Sequence, residues 1–312
     1  MSHPVRPPTA AQPPPPPPPP PSRRAALATL LASVPALAAA SPPPLATAAA
    51  AASGGTAGGA TAATAAASAA PPTVAAAGGA AVPTAYFGSG CFWGRQHDFV
   101  VAEQRMGRGP GAVTAVVGYA GGRAGTDDKG RVCYYYANDA SVYERRGHAE
   151  VVSVALAPKD GAGDPAAAEA AFREFARVFF AQFVATRLGM MRQDPQDAGP
   201  GYRNVVGVPG GVKGRLFKIL EEENVHGMTL VPGTGGGTDE RGRPTEPDAV
   251  NTVYVLDSDA LPFYPAEAWH QYHDGLGYRF PAAYKRDAKR AATAAGAVPG
   301  PGETGCPEFP FL

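Results

Sequence analysis

The segment Gly88-Ser89-Gly90-Cys91-Phe92-Trp93-Gly94 holds the most chemistry in this 312-residue chain. A short apolar run, Ala85-Tyr86-Phe87, reads as a strand, the glycines permit a sharp turn, and a helical pattern follows from Cys91 to about Arg105. That order puts the cysteine at a helix N-terminus, where unpaired N–H groups and the helix dipole favour a thiolate. Phe92 and Trp93 give the sulfur an apolar floor, and the flanking glycines let a substrate approach the backbone. The same residues also suit a buried cysteine in a glycine-rich turn. A Cys–His hydrolase built on Cys91 and His148 needs an oriented base and an oxyanion hole, and the segment lacks the local cysteine-protease signatures. His270 and His273 stand one helical turn apart, but no third metal ligand accompanies them. Cys133 and Cys306 complete a set of three cysteines, too few for a disulfide scaffold and spaced unlike a zinc finger.

The elements that must position these residues start late in the chain. Residues 1–94 hold three arginines (Arg6, Arg23, Arg24) and no acid, although the whole chain balances 27 basic against 27 acidic residues. That balance argues against a broad nucleic-acid face. Pro13 to Pro21 is an unbroken proline run, followed by Ser22-Arg23-Arg24 and a largely apolar stretch, Ala25 to Ala40. Ala36-Leu37-Ala38 reads as a signal-peptide cleavage site, and the arginine pair suggests the twin-arginine variety. The expectation is a targeting segment over 1–40, addressed to a plastid and from there to the thylakoid lumen, or else to a secreted or periplasm-like compartment. The apolar run is too short for stable membrane insertion. Residues 41–83 read as an Ala/Gly/Pro-rich linker, so that a disordered leader precedes the ordered domain, 84–290.

Within that domain, 112–119 and 148–156 read as strands and 123–146 as a long loop. Asp164-Pro165 announces a helix, and Phe172, Phe175, Phe179 and Phe183 recur at helical spacing as its core stripe. A second helix is expected over 212–223, strands over 228–231 and 250–256, and a last periodic piece over 265–273. The Gly/Pro-rich tail, 291–312, reads as mobile. Irregular alternation without a dinucleotide-binding turn predicts an α+β domain, a two-layer sandwich of a mixed sheet and helices.

Gly-Cys-Phe-Trp-Gly resembles the nucleophile signature of the A-type peptide methionine sulfoxide reductases, which act on the S epimer. Further segments resemble that family in its order: Val117-Gly118-Tyr119-Ala120-Gly121-Gly122, Gly147-His148-Ala149-Glu150-Val151-Val152, Asp197-Ala198-Gly199-Pro200-Gly201-Tyr202-Arg203 and Phe263-Tyr264-Pro265-Ala266-Glu267-Ala268-Trp269-His270-Gln271. The resemblance spans about Ala85 to His273. It implies a ferredoxin-like reductase fold and reduction of free or protein-bound methionine sulfoxide, repairing oxidised proteins under oxidative stress. Cys91 would be the nucleophile and Glu150 a protonated carboxyl at the sulfoxide oxygen, with Asp197 and Tyr202 also holding that oxygen. Phe92 and Trp93 would cradle the S-methyl group. The resulting sulfenic acid would be resolved by a second thiol, Cys306 in the tail, with Cys133 or an external thiol as alternatives. The resemblance further implies no metal or bound cofactor, a thioredoxin-like dithiol as reductant and a monomer.

The sequence departs from the family pattern at Lys129, near where a second tyrosine is usual, leaving Tyr134, Tyr135, Tyr136 and Tyr143 as substitutes. It departs again at Gly201, Asn204 and Trp269. These departures keep open a catalytically weakened redox sensor or binding module on the same fold.

Overall fold

A computed structural model describes residues 83–135, 141–157, 164–187, 189–193, 197–275 and 277–308. The targeting segment and most of the linker expected from the sequence lie outside them. Nine strands are found among these residues: β1 (Thr84–Gly88), β2 (Val116–Ala120), β3 (Ala149–Ala155), β4 (Phe183–Thr186), β5 (Gly189–Arg192), β6 (Val205–Val208), β7 (Thr229–Pro232), β8 (Thr252–Asp257) and β9 (Tyr264–Pro265). The helices are α1 (Phe92–Arg105), α2 (Pro165–Phe180), α3 (Leu216–Glu223) and α4 (Lys289–Ala294). Seven strands form one sheet in the order β7-β8-β6-β1-β3-β2-β9. β8 runs parallel to β6 and β7, while β1 pairs antiparallel with β3 and β6, and β2 with β3 and β9. The sheet is therefore mixed and carries helices, as the α+β expectation requires.

Side chains alternate across the strands. Phe87, Val117, Val152, Val154, Val206 and Val255 share one core with Phe99 of α1, Leu220 of α3 and the phenylalanines of α2. Their neighbours Tyr86, Val151, Val205, Tyr254 and Leu256 form a second cluster, capped by Leu261 and Phe263. The α2 stripe follows from its sequence signals. Asp164 accepts the Ala166 N–H at 2.9 Å, Pro165 opens the helix, and Phe172, Phe175 and Phe179 are fully buried. Phe183 stays in the same core, edge-on to Phe179, but belongs to the hairpin β4–β5, which the helical spacing concealed.

Three other expectations change. Residues 112–115 do not join β2, because the N–H groups of Thr114 and Ala115 donate to the buried Glu103 carboxylate of α1 and not to a neighbouring strand. The piece over 265–273 is not a helix. Its apolar spacing serves two turns, closed by His270 N–H to Glu267 O and Gln271 N–H to Ala268 O, and the Gln271 amide clamps the Val117 backbone on both sides. The tail is not free: α4 runs into it, Cys306 is bonded to Cys133, and Glu308 accepts the N–H groups of Ala268 and Trp269. Among the described residues no helix is long and apolar enough to cross a membrane.

Candidate active site

Cys91 is the N-cap of α1, 6% exposed and outside any disulfide. Gly90 reaches it with φ +80°, a backbone that side-chain-bearing residues rarely adopt, and donates its N–H to Tyr202 O at 2.9 Å. The nucleophile turn and the 197–203 loop are thus joined by a main-chain bond. The cysteine thus stands at the positive end of the helix.

The first N–H of α1, from Phe92, donates to Glu150 Oε2 at 3.0 Å, which sets the carboxyl of β3 beside the cysteine. Glu150 is 2% exposed. Burial raises its pKa to about 8, aided by the charges of Asp197 and Glu144 and opposed by the hydrogen bonds from Phe92 and Tyr143. The carboxyl is mostly protonated at neutral pH. Tyr143 donates to its other oxygen at 3.4 Å, and Tyr143 and Tyr134 each share a hydrogen bond with Tyr202. Three hydroxyls therefore converge on one neutral acid. Burial pushes Tyr134 up to about 12 and holds Tyr143 and Tyr202 well above the usual phenol range, so all three stay protonated. Asp197 hydrogen-bonds the Cys91 thiol, and burial raises its carboxyl above the ordinary value.

The structure thus brings Cys91, Glu150, Asp197 and Tyr202 together. It also fills the place of the tyrosine missing near Lys129: Tyr143 and Tyr134 enter the site, Tyr135 is exposed, and Tyr136 lies outside the described residues. Sequence reasoning left that choice open because the long loop after 123 has no periodicity that says where it folds back. The aromatic ring set is larger than Phe92 and Trp93. Phe92 is fully buried, 6.0 Å from the Tyr119 ring and 5.3 Å from that of His270. Trp93 is partly exposed and lies between His273, at 4.1 Å, and Trp269, at 5.6 Å. Trp93 Nε1 donates to His270 Nδ1, and burial lowers His270 to about 3, so His270 serves as a neutral ring partner. His148 is also neutral, lowered to about 4 by burial and tied to Gly122 and Gly125, which removes it as a base for a hydrolase.

The departures from the family pattern have structural roles. A side chain at Gly201 would meet Glu144 Oε1 at 2.7 Å. Asn204 joins β6 to β8 through Val250 O and Thr252 O. Arg203 is fully buried, pairs with Glu246 at 3.0 Å and donates to Gly121 O and Pro200 O, which fixes the loop carrying Asp197 and Tyr202.

Cys306 is not placed against Cys91. It forms a disulfide with Cys133, their Cα atoms 5.6 Å apart. Glu267 lies against that pair, and these three are the only His/Cys/Asp/Glu group among the described residues compact enough for a metal ion. With the sulfurs bonded to each other, neither is available as a thiolate ligand.

The chain is similar to known proteins over the segment that holds these residues. Residues 83–209 match the family model for peptide methionine sulfoxide reductase. Peptide methionine sulfoxide reductase MsrA of Pseudomonas aeruginosa is 29% identical over 185 residues, covering 59% of this chain and 65% of that protein. MsrA of Methylococcus capsulatus is 36% identical over 39% of this chain and 42% of its own length. The human mitochondrial peptide methionine sulfoxide reductase is 30% identical over 48% of this chain and 52% of its own. The chain thus spans less than two thirds of the length of these relatives. Among solved structures, methionine sulfoxide reductase A of Corynebacterium diphtheriae aligns over 61% of this chain and 72% of that chain at 20% identity, with a TM-score of 0.34. The segment shared with the peptide methionine sulfoxide reductase family model contains both the cysteine turn and the glutamate strand.

Proposed function

We propose that this chain reduces methionine S-sulfoxide, free or in proteins, to methionine. The observation that carries the reading is the neutral, buried carboxyl of Glu150, held by the α1 N-terminus next to Cys91. Attack of a Cys91 thiolate on the sulfoxide sulfur forms the S–S contact through which two electrons reach substrate. Glu150, assisted by the Tyr143 and Tyr202 hydroxyls, gives its proton to the departing oxygen. The hydroxyl passes to the Cys91 sulfur as a sulfenic acid, the S–S bond breaks with its electron pair going to the substrate sulfur, and methionine leaves. A second thiol then condenses with the sulfenic acid, water is released, and a thioredoxin-like dithiol restores the cysteine. The Trp93 ring set suits the substrate's S-methyl group, since thioether-like sulfur packs well on aromatic edges.

Cys306 serves as the resolving thiol, acting after its bond to Cys133 has been reduced. Arg23-Arg24 and the acid-free leader support delivery to a plastid, and within it to the lumen. A monomer satisfies every residue the chemistry uses, since all of them come from one chain.

The test is turnover of the two resolved methionine sulfoxide epimers with dithiothreitol. The S epimer alone should be reduced, and Cys91→Ser should abolish the activity. Peroxide-driven sulfenic acid at Cys91 without sulfoxide turnover would reject the reductase reading in favour of a thiol sensor.

A further inference from the structure

Glu267 is 2% exposed, and nothing in the sulfoxide chemistry above uses it. One of its carboxylate oxygens and the sulfurs of Cys133 and Cys306 all lie within 4.8 Å of one another. Its Oε1 accepts the Tyr134 N–H at 2.8 Å, and its Oε2 accepts the Tyr119 hydroxyl at 2.8 Å. His270 Nε2 stands 3.8 Å from Oε2 and is neutral. No cation within ion-pair distance neutralises the carboxyl among the described residues. An acid buried against a disulfide is costly unless it can exist uncharged. Of the two sulfur-bearing residues, Cys133 is fully buried and Cys306 is 6% exposed, so Cys306 is the side of the bond nearer to solvent.

We propose that Glu267 is the proton-transfer residue for opening the Cys133–Cys306 disulfide. The thiolate of an external dithiol attacks the Cys306 sulfur. The Cys133–Cys306 bond breaks and a mixed disulfide forms. Cys133 leaves with the bonding electron pair and takes the proton of the Glu267 carboxyl, whose oxygen lies within 4.8 Å of both sulfurs. The second thiol of the dithiol, losing its proton to the Glu267 carboxylate or to solvent, then attacks the mixed disulfide. Cys306 leaves as a thiolate, and the reductant departs as a cyclic disulfide. Two electrons have passed to the two cysteines. Every step needs a leaving thiolate deep in the fold, and a thiolate released there is stabilised only if a proton is at hand.

The groups facing the carboxyl are Tyr119, the Tyr134 amide, His270, Glu308 and the two sulfurs. Burial raises the Glu267 carboxyl above its ordinary value and Glu308 pushes it further, while the Tyr134 and Tyr119 hydrogen bonds oppose both. The proton-loaded form therefore persists to higher pH than in an unburied glutamate.

The inference goes beyond sulfoxide reduction and is tested without it, in the full chain carrying Cys91→Ser. The rate of disulfide reduction by dithiothreitol is followed by rapid alkylation and mass measurement across pH 5.5 to 9, then divided by the dithiothreitol thiolate concentration. The normalised rate should fall about tenfold or more as Glu267 ionises. Glu267→Gln should be slower by a similar factor at low pH and show no such fall. Tyr119→Phe, which removes a hydrogen bond that favours the charged form, should keep the fall and move it to higher pH. It also serves should Glu267→Gln not fold. An unchanged profile in Glu267→Gln, or a fall that Tyr119→Phe does not move, overturns the proposal. Either result leaves sulfoxide reduction at Cys91 standing, because Cys91 is absent from the assay.

Discussion

Replacing Glu150 with glutamine separates the cost of this acid from its use. The carboxyl titrates near 4.5 when unperturbed and at about 8 in the fold. Each unit is worth about 1.4 kcal/mol, so ionising it in place costs up to about 5 kcal/mol. The folded state holds the proton at pH values where the unfolded chain has already lost it. Stability therefore falls as pH rises from about 4.5 to about 8, and is level on either side of that window. At pH 7 the folded protein has lost about 3 kcal/mol relative to pH 4.5 through this one group. The glutamine amide would keep an oxygen for the Phe92 N–H and would never ionise. Urea denaturation of both proteins should show little difference at pH 5 and a gain of about 3 kcal/mol for Glu150→Gln at pH 7. Sulfoxide turnover should drop about a hundredfold in the same variant, since a general acid is gone. Wild-type turnover should fall above pH 8 as the acid ionises. A stability difference that does not change between pH 5 and pH 7 would refute the buried neutral acid.

Tyr143→Phe removes a hydrogen bond that holds the Glu150 value down, so the alkaline fall in turnover should move to higher pH, read from a pH–rate profile. Glu246→Gln leaves the Arg203 charge buried without its partner and should cost about 3–5 kcal/mol in urea denaturation; a loss below about 1 kcal/mol would show that the pair is not what fixes the 197–203 loop. Phe172→Ala should cost about 3–5 kcal/mol, seen as a lowered denaturation midpoint. Asp164→Ala should cost about 1 kcal/mol by the same measurement, the value of one helix cap.

Local signals were legible where the local pattern itself closes the structure. Asp164-Pro165 and the phenylalanine spacing specify α2 without help from the rest of the chain, and Gly90-Cys91 specifies a turn into a helix. The reading failed where a side chain from far away takes over a backbone group. Glu103 claims the N–H groups of residues 114 and 115, and Gln271 claims the Val117 backbone, and neither claim leaves a trace in periodicity. Phe183 was misread for the opposite reason: it is in the right core but reaches it from a strand. Cys91, Glu150, Asp197 and Tyr202 were legible from motif resemblance. Tyr143 and Tyr134 were not, because only the fold of the loop before β3 decides which of several tyrosines turns inward.

The Cys133–Cys306 link closes a covalent ring that begins before β3 and takes in every later element of the sheet, while β1, α1 and Cys91 lie outside it. A protease that nicks the backbone once inside that ring makes two pieces that cannot part. Such a nicked chain would migrate as one band on a non-reducing gel and as two once thiol is added, so an apparent resistance to proteolysis has to be judged in the presence of reductant.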